Sequence, residues 1–113
     1  MAFRKVEKKD FIYFFYSREQ HEDLDRFRLE LGNLACTLGC IKDVVVDFSG
    51  ASTVSSAEIS ILIRVLKSMF DTGRTLRLIT PPHIERLISA TNITKLKNIQ
   101  LYESLETLCA QMR

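Results

Sequence analysis

Val44-Val45-Val46-Asp47-Phe48-Ser49-Gly50, followed closely by Val54-Ser55-Ser56-Ala57-Glu58-Ile59, reads as an apolar strand that ends in a turn and restarts as a helix. Three consecutive valines suit a strand buried on both faces, the kind found inside a sheet flanked by helices. The serines fall where the helix begins. Their hydroxyls therefore stand at the positive end of its dipole, where a phosphate would be stabilised if a kinase placed one there. Ser55 and Glu58 also hold the Ser-x-x-Glu spacing of a capping box. That spacing predicts that the serine hydroxyl meets the amide of Glu58 while the glutamate reaches back to the amide of Ser55.

Downstream, the helix should run from about Ser56 to Asp71. It is apolar on most sides at Ile59, Ile61, Leu62, Ile63, Val65, Leu66, Met69 and Phe70, so it should be the most buried helix, with Gly73 as a left-handed stop. Thr75 to Thr80 reads as another strand. Thr80-Pro81-Pro82 opens a helix with proline in its first turn, where the missing N–H does no harm, and Ile84, Leu87 and Ile88 form its apolar face. Asn92, tolerant of positive φ, is expected to end it. Ile99-Gln100-Leu101 is a short strand, and Tyr102, Leu105, Leu108, Cys109 and Met112 mark a final amphipathic helix.

Upstream, Leu24, Phe27, Leu31, Leu34, Ala35 and Leu38 recur at threes and fours between Glu22 and Leu38, with Gly39 just past the end, which predicts a helix. Phe11-Ile12-Tyr13-Phe14-Phe15-Tyr16 is aromatic and β-branched, a strand, and Phe3 to Lys8 is a weaker alternating strand before it. The pair suggests a hairpin. Strands alternating with helices after a hairpin imply an α/β fold: a small mixed sheet of four or five strands covered by about four helices. The 113 residues make one domain, without linker or repeat.

Composition excludes several function classes. The longest apolar run, Ile59 to Leu66, is interrupted by Ser60 and Arg64, so no membrane span is expected. Met1 to Asp10 has charges but no apolar core or cleavage site, which argues against a secretory signal and for the cytoplasm. The net charge of +2 comes from interspersed signs, and the basic clusters Arg4, Lys5, Lys8, Lys9 and Lys95, Lys97 are short, so nucleic acid is not an expected partner. Cys36, Cys40 and Cys109 are an odd count without a Cys-x-x-Cys pair and read as buried reduced thiols. His21 and His83 are single and read as solvated flanks, so no metal site is expected. A Gly-rich phosphate loop, a Gly-x-Ser-x-Gly elbow and a Cys-His or carboxylate pair at a convincing spacing are all missing, so neither an enzyme nor a cofactor is indicated.

From about Phe11 to Leu108 the chain resembles a STAS domain, the module of bacterial anti-sigma factor antagonists. Val45-Val46-Asp47-Phe48-Ser49-Gly50 is similar to the family's hydrophobic-hydrophobic-Asp-Leu-Ser-Gly strand, and Ser55-Ser56-Ala57-Glu58-Ile59 fills the slot of its Asp-Ser-Ser/Thr-Gly-Leu helix start. Leu76 to Thr80, Pro81, Thr91-Asn92-Ile93 and Leu101-Tyr102-Glu103-Ser104-Leu105 resemble, in order, the family's next strand, Pro-initiated helix, Thr-Gly-hydrophobic turn and terminal strand with its acidic-Ser-Leu helix. The resemblance implies a regulatory switch. An anti-sigma factor that is itself an ATP-dependent serine kinase phosphorylates the serine at the helix start, and a phosphatase restores it. Position by position that serine is Ser56, while Ser55 stands where the family has Asp and Glu58 where it has Gly. A carboxylate at Glu58 is expected to lie near a phosphate on Ser56 and repel it.

The surface expected to meet a partner comprises Asp47, Ser49, Ser52, Thr53, Ser55, Ser56, Glu58 and Ile59, with Ser56 and then Ser55 as phosphorylation candidates. Each has a plainer reading beside it. Ser55 is foremost an N-cap, Ser56 is equally a tolerated first-turn residue, and Asp47 with Ser49 and Gly50 is ordinary turn chemistry. Two alternatives keep the same fold: a non-phosphorylated scaffold or sensor subunit of a signalling assembly, and a small-ligand or lipid-binding module with an apolar pocket lined by Phe11 to Phe15 and the helices. The residues leave the oligomeric state open, a homodimer being one option.

Overall fold

A computed structural model describes residues 3–17, 22–37, 42–51, 53–69 and 72–111. Strands β1 (Phe3–Glu7) and β2 (Phe11–Tyr16) form the expected hairpin, antiparallel from Phe3 opposite Tyr16 to Glu7 opposite Ile12. Helix α1 (Glu22–Thr37) leads to β3 (Asp43–Asp47), helix α2 (Ser56–Met69) to β4 (Leu76–Ile79), and helix α3 (Pro82–Ser89) to β5 (Ile99–Tyr102). Helix α4 (Leu105–Gln111) follows. The sheet is mixed, five-stranded and ordered β1-β2-β3-β4-β5, with β2 to β5 parallel.

Because each parallel crossover advances one strand in the same direction, the right-handed rule puts the connecting helices on one face. Side-chain alternation agrees. Ile12, Phe14, Val44, Val46, Leu76 and Leu78 point to a core shared with Phe27 and Leu31 of α1, Leu62 and Leu66 of α2, and Ile84 and Ile88 of α3. Tyr13, Val45, Ile79 and Tyr102 point to the other face, where Leu108 of α4 covers them. Val44, Val45 and Val46 are fully buried, as a strand covered on both faces requires. Helix α2 buries seven residues, from Glu58 to Met69, more than any other helix among the described residues. Gly73 at φ +73 turns the chain after it.

Three local expectations are corrected. Asn92 does not end α3 with a positive φ. The helix stops at Ser89, and Asn92 opens a 3₁₀ turn, Asn92–Lys95. The Thr91 hydroxyl donates to the Ile88 carbonyl at 2.6 Å and accepts from the Ile93 amide at 3.4 Å, so it caps both ends and no left-handed residue is needed. Tyr102 belongs to β5 rather than the last helix, because its carbonyl accepts from the Thr80 amide at 2.7 Å and prolongs the sheet. Helix α4 starts three residues later, where the Ser104 hydroxyl accepts from the Thr107 amide at 3.1 Å. Cys109 is a free thiol, half-buried rather than buried, since it sits on α4 itself, the short helix over the more thinly covered face. Leu38, Gly39, Cys40, Phe70, Asp71, Met112, His21 and the side chains of Leu34, Ala35 and Cys36 lie outside the described residues.

Candidate functional site

Ligands of open sheets gather beyond the carboxyl ends of parallel strands, and here that edge carries Asp47, Thr80 and the loop entering α2. Asp47 is 4% exposed. One of its carboxylate oxygens accepts from the Ser49 amide at 2.8 Å, which folds the chain back into the turn the sequence predicted, and the other accepts from the Tyr13 hydroxyl. Burial first, then the hydrogen bond and charge of Asp47, push the Tyr13 phenol above its ordinary range. It therefore stays a neutral donor to the carboxylate.

The turn is held from three sides. Ala51 donates back to the Phe48 carbonyl at 2.9 Å, Ser17 at the end of β2 donates to the Gly50 carbonyl at 3.1 Å, and His83 Nε2 in the first turn of α3 donates to the Ala51 carbonyl at 3.2 Å. Gly50 has no room for a side chain, since a Cβ would stand 2.5 Å from Cζ of Phe15. Gly50→Ala should therefore swing the half-buried Phe15 ring and displace the turn. The expected loss is about 1–2 kcal/mol, typical of overpacking, read by urea denaturation; an unchanged midpoint would show that the ring gives way freely.

The first turn of α2 is built around Glu58, which is 1% exposed. Its carboxylate accepts from the Ser55 amide at 3.0 Å, from the Ser55 hydroxyl, and from the Tyr16 hydroxyl at 3.2 Å. The glutamate half of the predicted capping box is present, and the Ser55 hydroxyl donates to the same carboxylate, because a buried carboxylate needs donors within reach. Glu58 and Ser56 face different ways: positions two apart point to different sides of a helix, and Glu58 is buried against Tyr16 while Ser56 is exposed.

Among the residues expected to meet a partner, Ser49, Thr53 and Ser56 are exposed and Ser55 is half-buried. Asp47, Glu58 and Ile59 are buried, so they shape this surface from beneath instead of forming it. Ser52 lies outside the described residues. Sequence reasoning missed Tyr13, Tyr16, Ser17 and His83. The tyrosines read only as strand formers, and the partners of all four are distant in the chain.

The pocket expected along Phe11 to Phe15 is replaced by packing: Ile12 and Phe14 fill one core, while Phe11, Tyr13 and Phe15 pack on the other face. A polar cleft of about 350 Å³ lies instead at the ends of β4 and β5, lined by Thr80, Glu85, Leu101, Tyr102, Glu103 and Thr107. Among the described residues no group of three His, Cys, Asp or Glu side chains could hold a metal ion, and no helix is long and apolar enough to cross a membrane.

No protein-family model and no curated protein sequence matches the chain. Solved structures do. A Thermotoga maritima protein described as an anti-sigma factor antagonist superposes with a TM-score of 0.78 at 18% identity, over 96% of this chain and 92% of that one. An anti-sigma factor antagonist (STAS) domain protein from Planctomyces limnophilus gives a TM-score of 0.77 at 14% identity, covering 98% of both chains. The Bacillus cell fate determinant SpoIIAA in its phosphorylated form gives 0.71 at 12% identity, over 99% of this chain and all of that one. A five-stranded mixed sheet with this helix order, matched end to end by such structures, is the STAS fold, the fold of the anti-sigma factor antagonists.

Proposed function

We propose that the chain is a non-enzymatic regulatory module that docks onto an anti-sigma factor with serine kinase activity, and that phosphorylation of Ser56 switches this docking off. The observation that carries the reading is the division of labour between adjacent hydroxyls. Ser55 donates its own to a buried carboxylate, whereas Ser56, the first residue of α2, is exposed. The fold of SpoIIAA, solved both unphosphorylated and phosphorylated, also supports it. In the modifying step the Ser56 oxygen takes the terminal phosphoryl group of ATP and ADP leaves; a phosphatase reverses the state. The cytoplasm is the compartment this reading assigns.

A phosphate there adds roughly −1.5 to −2 charges. The helix dipole tolerates it, but a partner closing over Ser56 would have to desolvate it. Incubation with the cognate kinase and ATP, followed by mass spectrometry, should place the phosphate on Ser56; modification only elsewhere, or none, defeats the switch. Ser56→Asp should weaken capture of the partner by about tenfold or more, equivalent to ~1.4 kcal/mol, while Ser56→Ala should retain capture. A Ser56→Asp chain that binds as tightly as the parent would favour a scaffold without a phosphorylation cycle.

A further inference from the structure

On the flank of the molecule, α1 and α2 enclose a groove of about 480 Å³ lined by Arg28 of α1 and by Ala57, Ser60, Ile61 and Arg64 of α2. Positions 57, 60, 61 and 64 recur at threes and fours, so they share one stripe of the helix. Ile61 is buried and Ala57 half-buried, which makes an apolar floor, while Ser60, Arg64 and Arg28 are exposed at its margin. Among the described residues no carboxylate lines the groove. Arg28 does pair with Asp25 on its own helix at 3.3 Å, but both side chains are largely solvated, and such a pair yields readily to a better anion.

The chemistry of this lining is one-sided. Guanidinium groups donate and never accept, and their planar forks match the oxygens of phosphate and carboxylate. Two of them beside a free-standing hydroxyl fit the three oxygens of a phosphoryl group better than the two of a carboxylate. A bare phosphate would leave Ile61 and Ala57 uncovered, and the volume falls within the roughly 300–1,000 Å³ of sites for small organic molecules. We infer that this groove binds a small phosphomonoester, with its phosphoryl oxygens held by Arg28, Arg64 and the Ser60 hydroxyl and its organic part on Ile61 and Ala57. The site is separate from the loop at Asp47, and the inference does not rest on Ser56 being phosphorylated. Ser56 precedes Ser60 by four residues on the same side of α2, so a bound ligand adds negative charge beside the proposed docking surface.

The test is an amide-resolved NMR titration of the full chain with phenyl phosphate, inorganic phosphate and phenol, at constant ionic strength and above the phosphate pKa of about 6. Phenyl phosphate should give saturable shifts confined to the surroundings of residue 28 and of residues 57–64, inorganic phosphate weaker ones at the same places, and phenol none. Arg28→Ala and Arg64→Ala should each weaken phenyl phosphate by about tenfold, as loss of a charge-assisted hydrogen bond does, with the amide spectra showing that the fold is retained. Both residues are exposed and outside the core, so the variants should fold. No saturable shift at these residues, an equal response to phenol, or unchanged affinity in the double variant would overturn the assignment.

Discussion

Phe27→Ala should destabilise the domain by about 3–5 kcal/mol, the range for emptying a large aromatic position in a core. Phe27 is fully buried on α1 and stands at the centre of an aromatic group. Its ring stacks on Tyr16 with centroids 4.2 Å apart and meets Phe14 at 5.8 Å and Phe48 at 6.3 Å. Tyr16 and Phe14 come from β2 and Phe48 directly follows β3, so this one ring joins the first crossover helix to β2 and to the start of the candidate site. Small domains hold only about 5–15 kcal/mol in total, so the variant should lose much of its margin. Denaturant titration should move the midpoint down with little change in slope. A loss under about 1 kcal/mol would mean that the neighbours collapse into the space and that the cluster does not organise this end of the sheet.

The second large effect is expected at Glu58. Glu58→Ala should cost about 2–3 kcal/mol, because it removes the acceptor shared by the Tyr16 hydroxyl and by the Ser55 amide and hydroxyl, and losing a hydrogen bond to a charged group costs roughly 1.5–3 kcal/mol. The burden lies in the donors that lose this acceptor rather than in the lost charge, since burying a carboxylate is itself unfavourable. Two comparisons separate these terms. Glu58→Gln keeps an acceptor and should cost less than Glu58→Ala. Tyr16→Phe combined with Glu58→Leu removes donor and acceptor together and should be milder than the sum of the single changes, with a coupling of about 0.5–3 kcal/mol. Strictly additive losses by urea denaturation would show that Tyr16 and Glu58 do not act as a pair. The substitution also tests the proposed function, because it frees the Ser55 hydroxyl: with the kinase present, modification should spread from Ser56 to Ser55.

Much of this architecture is legible along the chain because its signals are local. Val44 to Val46 announce a strand covered on both sides, the apolar spacing of Ile59, Leu62 and Leu66 announces the central helix, and both are found where read. Errors arose where a tertiary contact outweighed a local preference. Tyr102 suits either a strand or an amphipathic helix, and the bond from the Thr80 amide draws it into the sheet. Asn92 tolerates a left-handed turn, but the Thr91 hydroxyl makes one unnecessary. At the candidate site, the spacing of Ser55 and Glu58 foretold that the two would meet, yet not that the carboxylate would be buried.

By itself, the sequence determined the order and type of the elements, the single α/β layer plan and the exposed serine at a helix start, since periodicity, turn residues and caps act over a few neighbouring positions. The tertiary structure alone decided which groups surround that serine. Tyr13 meets Asp47 across 34 residues, His83 reaches Ala51 across 32, and Tyr16 reaches Glu58 across 42. Such bonds leave no periodic trace, because parallel pairing of β2, β3 and β4 brings distant segments to the same edge, and the need of the buried carboxylates of Asp47 and Glu58 for donors then selects Tyr13 and Tyr16.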